Sequence, residues 1–266
     1  MNDSAKPRAR HVIMDLSARG RHHFTSAELR SALGVSAAAA RQALSRLAAK
    51  GEIASPSRGF YVIVPPEYRR LGCLPADQFI PALMEYRNVP YYAALLSAAQ
   101  YHGAAHHRPQ AFQVILGRNR PSILCGSVKV SFVARRNVGD VPVQKFNNPR
   151  GTVRVSTVEA TAVDLVGYVR HAGGVDRVAG LLSELGEGMD PQRLVDASKY
   201  APIPWAQRLG YLLAHVGCGD KAALLKEHVQ ERTRNFTKLL PAASAENAPR
   251  SKDWRLYVNV TIESEA

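Results

Sequence analysis

Two side chains in the first quarter of the sequence have the chemistry needed to read DNA bases. Arg41 and Gln42 are adjacent in a helical stretch, and their donors and acceptors match the major-groove edges of guanine and adenine. The other residues predicted on that helix face are small, so the helix can enter a groove closely. They are Ser36, Ala37, Ala38 and Ser45.

Three further cations are placed to contact phosphates. Arg46 and Lys50 follow on the same helix, and Arg58 lies at the tip of a predicted hairpin. Phosphate contacts position a protein on DNA without reading its sequence. Taken alone, such a side chain on an exposed helix face is usually only solvated. The order of two helices followed by a hairpin is what favours DNA binding.

Local signals predict the elements that position these residues. Thr25 and Glu28 have capping-box spacing, which starts a helix at about Ser26, and Gly34 supplies the turn to a second helix capped by Ser36. Ala40, Leu44 and Leu47 form the buried face of that helix. Two short strands around the Ser55–Gly59 turn complete a winged helix-turn-helix. Pro65-Pro66 predicts the boundary between residues 1–66 and an α+β domain over residues 67–266.

Composition restricts the class of protein. The chain has 266 residues, a net charge of +13 and 46% hydrophobic residues, enough for more than one domain. Its three cysteines, Cys73, Cys125 and Cys218, lack the paired spacing of a zinc site or a disulfide framework. The sequence has neither a membrane-length apolar stretch nor a signal peptide at its N-terminus. We therefore expect a cytoplasmic protein.

A second basic segment lies outside the predicted winged helix. Residues 101–154 contain nine Lys and Arg against the single acid Asp140. Two interpretations remain open: a surface for a polyanion or an acidic partner, or cations that guard strand edges. Arg135 and Arg136 are expected at an exposed strand end. The predicted second basic surface comprises Arg118, Arg120, Lys129, Arg135, Arg136, Lys145, Arg150 and Arg154.

The larger domain is predicted to combine a mostly antiparallel sheet with a C-terminal helical region. Alternating apolar and polar residues predict strands over 112–116, 122–125, 128–134, 141–146 and 152–155. Helices are expected over 77–87, 91–101, 176–185, 191–199, 205–215 and 221–234. A capping box formed by Ser156 and Glu159 is expected to start another helix, and residues 255–262 are expected to add a last strand to the sheet.

Five blocks in order over nearly the whole chain resemble the AbiEi-family antitoxins. They are Gly59–Tyr68, Tyr91–Gly103, Val155–Leu165, Gln207–Leu212 and Trp254–Asn259. The resemblance implies an antitoxin of a bacterial type IV toxin–antitoxin system linked to abortive infection of phage. It also implies that the N-terminal domain represses the chain's own promoter at inverted repeats. The C-terminal domain would counteract a nucleotidyltransferase toxin, and direct contact with that toxin stays open.

The rival classes are a nucleic-acid-processing enzyme and a stand-alone winged-helix regulator. Nuclease or nucleotidyltransferase chemistry usually needs converging carboxylates, and Asp140 is the only acid between Glu85 and Glu159. His102, His106 and His107 lack an evident third metal ligand, and Glu159 and Asp164 are explained by capping and a helix-surface ion pair. We therefore expect no catalytic residues, no metal and no cofactor.

Overall fold

A computed structural model describes residues 8–104 and 109–263. These residues divide into two units by their contacts. Unit 1 takes those within Met1–Tyr91, Gln110–Ala134 and Lys145–Val153, and unit 2 takes those within Tyr92–Pro109, Arg135–Gln144 and Arg154–Ala266. Unit 1 extends beyond the predicted N-terminal domain, because residues 67–91 and the 110–134 strands pack with it. The boundary at Pro65-Pro66 stays a prediction.

The first part of unit 1 is a winged helix-turn-helix. Its strands form an antiparallel sheet in the order β1, β3, β2. The core comes from apolar residues of each helix and strand, including Ile13, Phe24, Leu29, Leu44 and Ile53. The elements are α1 (Ala9–Ala18), β1 (His23–Thr25), α2 (Ser26–Leu33), α3 (Ala37–Ala49), β2 (Ile53–Ser57) and β3 (Phe60–Ile63).

The helix boundaries follow the local signals in the sequence. The Thr25 hydroxyl accepts from the Glu28 amide at 3.1 Å, and a Glu28 carboxylate oxygen accepts from the Thr25 amide at 2.6 Å. Gly34 ends α2 in the left-handed region with φ of 60°, and Ser36 caps α3. The predicted capping box and helix starts are confirmed.

The rest of unit 1 contains a helix and three strands after a short 3-10 turn at Pro66–Tyr68. Strands β6 and β7 pair antiparallel, as predicted, whereas β5 and β7 pair in parallel over the whole of β5, so the sheet is mixed. The elements are α4 (Ala76–Tyr86), β5 (Phe112–Leu116), β6 (Ile123–Cys125) and β7 (Val128–Ala134). Strands β8 (Val143–Asn148) and β9 (Gly151–Ser156) are neighbours in a sheet, and only residues 145–153 of this pair belong to unit 1.

Unit 2 is mainly helical. Helix α6 lies at its centre, where every residue from Glu159 to Val166 is buried. The helices are α5 (Leu95–Tyr101), α6 (Val158–Gly167), α7 (Val175–Gly186), α8 (Pro191–Ser198), α9 (Ile203–His215) and α10 (Ala223–Arg232). The short strands are β4 (Tyr91–Ala93), β10 (Thr237–Lys238), β11 (Arg250–Ser251) and β12 (Leu256–Tyr257). The mixed α/β fold with a C-terminal helical region is confirmed.

Two predicted elements differ from the structure. The helix expected over residues 91–101 is strand β4 followed by α5, because Ala93 pairs with Val155 and the chain then turns at Leu95 with φ of 54°. The expected last strand pairs with β10 and β11 in a separate small sheet. In both cases contacts with distant residues override local helix or strand preference.

Candidate nucleic-acid interface

Helix α3 presents all the predicted base-reading and groove residues on one exposed face. Ala40, Leu44 and Leu47 are buried on the opposite face, as the helical period requires. Arg58 is exposed in the turn between β2 and β3. The exposed residues of α3 and its cap are Ser36, Ala37, Ala38, Arg41, Gln42, Ser45, Arg46 and Lys50. The structure therefore brings together the predicted set as one surface, with the wing as its second element.

A notch of about 240 Å³ lies beside Arg41, between α2 and α3. Ala37, Ala40 and Leu44 line it with apolar atoms, and Arg30 lines it from α2. Apolar surface next to an arginine that is predicted to read bases suits the methyl group of thymine. Sequence analysis missed Arg30, an exposed cation at the end of α2. Its position shortly before Gly34, where α2 turns towards α3, was the feature of the sequence that could have indicated it.

The base of the wing is attached to the end of α4. Arg87 donates from Nη2 to the Ser57 hydroxyl at 2.9 Å, and the rings of Phe60 and Tyr86 lie 5.5 Å apart. The pKa of Arg87 is lowered by burial and by the positive charge of Arg120. Arg120 of the second basic segment therefore lies near the wing. Sequence analysis did not identify Arg87, because its partner Ser57 is distant in the chain.

The predicted second basic surface is only partly exposed. Arg150 is directed into unit 1, where its side chain, 11% exposed, donates to Gln78 at 2.8 Å and lies over the ring of Tyr68. Arg154 is half-buried. The members that are exposed are Arg118, Arg120, Lys129, Arg136 and Lys145. Arg108, from the same basic segment, lies outside the described residues.

Arg135 contradicts the prediction of an exposed strand end. Its side chain is 5% exposed and forms an ion pair with Asp164, which is fully buried in α6. The Tyr92 hydroxyl donates to the other Asp164 oxygen at 2.9 Å. Arg135 also donates to the Tyr200 carbonyl at 2.6 Å, and it lies 5.6 Å from the centre of the Trp205 ring. The expectation of a helix-surface ion pair for Asp164 is wrong for the same reason.

Burial controls the ionisation of this cluster. It raises the pKa of Asp164 to about 6, although Arg135 and the hydrogen bond from Tyr92 oppose the shift. It also raises the pKa of Tyr92, and the negative charge of Asp164 adds to that effect. Burial alone would lower the pKa of Arg135, but Asp164 and Tyr92 raise it above its ordinary value. The three groups therefore satisfy one another's charges and hydrogen bonds inside unit 2.

The other groups considered for chemistry have structural partners. His102 Nε2 lies 2.8 Å from the Ser156 carbonyl oxygen, and burial lowers its pKa. Thr157, not Ser156, caps α6, while a buried Glu159 oxygen accepts from the Asp190 amide at 3.2 Å. His106 and His107 lie outside the described residues. Within residues 8–104 and 109–263, three or more His, Cys, Asp or Glu side chains nowhere come together as a metal site.

Comparisons with known proteins agree with this arrangement. Residues 11–64 match the model of a family described as a transcriptional regulator, AbiEi antitoxin, and residues 92–215 match the AbiEi antitoxin C-terminal domain. The crystal structure of the RV2827C protein from Mycobacterium tuberculosis is similar, with a TM-score of 0.65 and 18% identity over 96% of this chain and 94% of that one. This likeness shows a shared fold. No curated protein matches the sequence. Every helix in the described ranges is too short or too polar to span a bilayer.

Proposed function

Because the chain belongs to the AbiEi antitoxin family, we propose that it represses its own promoter at inverted repeats and counteracts a nucleotidyltransferase toxin encoded beside it. This is the function of a type IV antitoxin in phage defence by abortive infection, carried out in the cytoplasm. The observation that supports it best is the exposed face of α3, which combines small residues with Arg41 and Gln42.

DNA recognition would divide between two classes of contact. Arg41 and Gln42 would read bases in the major groove, and Ser36 and the small side chains around them would let α3 approach closely. Arg46, Lys50 and Arg58 would bind phosphates, which fixes the register of the protein but carries no sequence information. The notch beside Arg41 would receive a thymine methyl group.

Binding measurements on promoter and scrambled duplexes test this division. Arg41→Ala and Gln42→Ala should each cost about 1–3 kcal/mol on the promoter duplex and much less on the scrambled one. Arg58→Ala should weaken binding to both duplexes by a similar factor. Arg193→Ala is the matched control, because it removes an exposed arginine from α8 in unit 2. Equal losses on both duplexes for Arg41→Ala would remove base reading from that residue.

The exposed cations Arg118, Arg120 and Lys129 would serve a polyanion or an acidic surface. Arg120 near the wing favours flanking DNA as one such partner. The double variant Arg118→Glu with Arg120→Glu should lower the affinity for long promoter duplexes and reduce the salt dependence of binding. If affinity, salt dependence and rescue from the toxin all remain at wild-type levels, these residues only guard a strand edge.

We further propose that the chain counteracts the toxin without catalysis of its own. Arg135 and Asp164 pair with each other inside unit 2, so neither is offered to a substrate. Co-expression with the neighbouring toxin gene tests the antitoxin role with the full chain. Arg41→Ala should lose repression but still rescue growth. Failure of the wild-type chain to rescue would leave a stand-alone transcriptional regulator as the better description.

A further inference from the structure

Two of the three cysteines contact each other inside unit 1. Cys73 is fully buried and Cys125 is 7% exposed, and their thiol groups are joined by a hydrogen bond. Cys73 follows the Pro66–Tyr68 turn, and Cys125 ends strand β6, so the pair forms only when the chain folds. Cys218, the third cysteine, lies in unit 2 beside Gly186.

The backbone holds the two thiols together. Gly126 has φ of 58°, and a Cβ at this position would lie 2.0 Å from the Leu71 carbonyl oxygen and 2.8 Å from the Cα of Gly72. The Ser127 amide donates to the same Leu71 oxygen at 2.8 Å. The cysteines directly follow Gly72 and directly precede Gly126. A disulfide requires such a close approach of two backbones, because its Cα atoms are only about 4.4–6.8 Å apart.

One thiol of the pair is set up as the nucleophile. The Cys73 thiol and the backbone amide of Ser55 both donate to the Cys125 sulfur, and they lower the pKa of Cys125 although burial opposes this. The hydrogen bond to Cys125 and burial raise the pKa of Cys73. Cys125 is also nearer to solvent, because it is 7% exposed against 0% for Cys73 and β6 is the outermost strand of its sheet. A small oxidant reaches this edge more easily than a bulky thiol does.

We propose that Cys73 and Cys125 form a reversible disulfide site that responds to hydrogen peroxide. The Cys125 thiolate attacks one peroxide oxygen, the O–O bond breaks, and the departing hydroxide takes up the thiol proton as water. The Cys73 sulfur then attacks the sulfenic acid sulfur of Cys125, the S–O bond breaks, and a second water leaves. Two thiols lose two electrons in total, and one peroxide is reduced to two waters. A dithiol reductant reverses the step.

The site is connected to the wing. Strand β2 loses its register with β3 between Ala54 and Ser57, so the Ser55 amide is directed to the Cys125 sulfur and not into the β2–β3 ladder. Disulfide formation turns that sulfur towards Cys73, which weakens the hydrogen bond that it accepts from the Ser55 amide. The turn that carries Arg58 continues from this strand. Oxidation should therefore loosen the wing and reduce the affinity for DNA.

Thiol mapping on the full-length wild-type chain tests the site without any DNA. Reduced protein is treated with a small excess of hydrogen peroxide, denatured, alkylated and analysed by peptide mass spectrometry. We expect a peptide that links Cys73 to Cys125, with Cys218 left as the free thiol, and recovery of all three thiols after reduction. Cys218→Ser should still form the link, and Cys73→Ser should not. A full set of free thiols after oxidation, oxidised Cys125 with Cys73 still free, or a link through Cys218 would overturn the proposal.

The same samples test the connection between the disulfide site and DNA binding. Only this connection rests on the proposed function. The oxidised wild-type chain should bind its promoter duplex about fivefold more weakly than the reduced chain, equivalent to roughly 1 kcal/mol for one hydrogen bond. Cys73→Ser should show no such difference. Unchanged affinity in a sample that contains the link would disprove the connection to the wing. Absence of promoter binding by the reduced chain would count against the proposed function, while the thiol map still decides the disulfide site.

Discussion

The buried Arg135–Asp164 pair makes the sharpest prediction about stability. Replacing Asp164 by Ala removes a fully buried carboxylate and leaves the Arg135 guanidinium, 5% exposed, without its counter-charge. Removing one partner of a buried ion pair costs about 3–5 kcal/mol. The Tyr200 carbonyl and the Trp205 ring still contact Arg135 in the variant, which favours the lower end of that range. We expect a loss of about 3 kcal/mol.

Tryptophan fluorescence reports this loss selectively. The chain has two tryptophans, Trp205 and Trp254, and both belong to unit 2. With a denaturant dependence of about 2 kcal/mol per molar urea, a 3 kcal/mol loss lowers the unfolding midpoint by about 1.5 M. Asp196→Ala is the matched control in the same unit, because it removes an exposed carboxylate whose partner Lys199 is also largely exposed. The control should leave the midpoint unchanged.

A second variant distinguishes the effect of the unpaired charge on stability from the effect of lost side-chain packing. Combining Arg135→Met with Asp164→Leu removes both charges and keeps apolar volume, and such replacements are often neutral or stabilising. The double variant should therefore recover most of the stability lost in Asp164→Ala. If Asp164→Ala unfolds at the same urea concentration as the Asp196→Ala control, leaving Arg135 buried without its counter-charge has no cost and the reasoning is refuted.

Three further predictions concern single positions. Burial raises the pKa of Asp164 to about 6 in the folded chain, against about 3.9 in the unfolded chain. Between these pH values the native state binds more protons than the unfolded state, so the free energy of unfolding should fall as pH rises. Asp164→Asn should lack this pH dependence in urea unfolding, and the same pH dependence in both proteins would contradict the raised pKa. Gly126→Ala should lower the thermal midpoint more than Gly34→Ala, because both positions have φ near 60° but only Gly126 lies against another backbone. Equal shifts of the midpoint in circular dichroism would show that the backbone at Gly72 moves away from the added methyl group. Thr25→Ala should lower the free energy of unfolding by about 1 kcal/mol, because it removes the N-cap of α2. Thr25→Ser retains the cap and serves as the control. An unchanged melting midpoint for Thr25→Ala would count against the capping role.

Local interactions explain which features could be predicted from the sequence. Thr25 and Glu28 cap α2 across one helical turn, and Ala40, Leu44 and Leu47 share a face by the period of α3 alone. Apolar runs between turn residues likewise predicted the bounds of β5 and β7. The exposed face of α3, with Arg41 and Gln42, follows from the same period. These features need only neighbours within a few residues, which the sequence displays directly.

Contacts between distant residues decided the rest. In the sequence, nothing distinguishes Arg135 from its exposed neighbour Arg136. Arg135 is buried because the fold brings it to Asp164 and Tyr92, at sequence separations of 29 and 43 residues. The Cys73–Cys125 contact likewise exists only through the meeting of two separated backbones at Gly72 and Gly126. A charge or a thiol has no local signature of burial, because the free energy that buries it comes from partners elsewhere in the chain. The sequence alone therefore determined the local elements and the cations of the winged helix, and the tertiary structure decided which other cations remain available for binding.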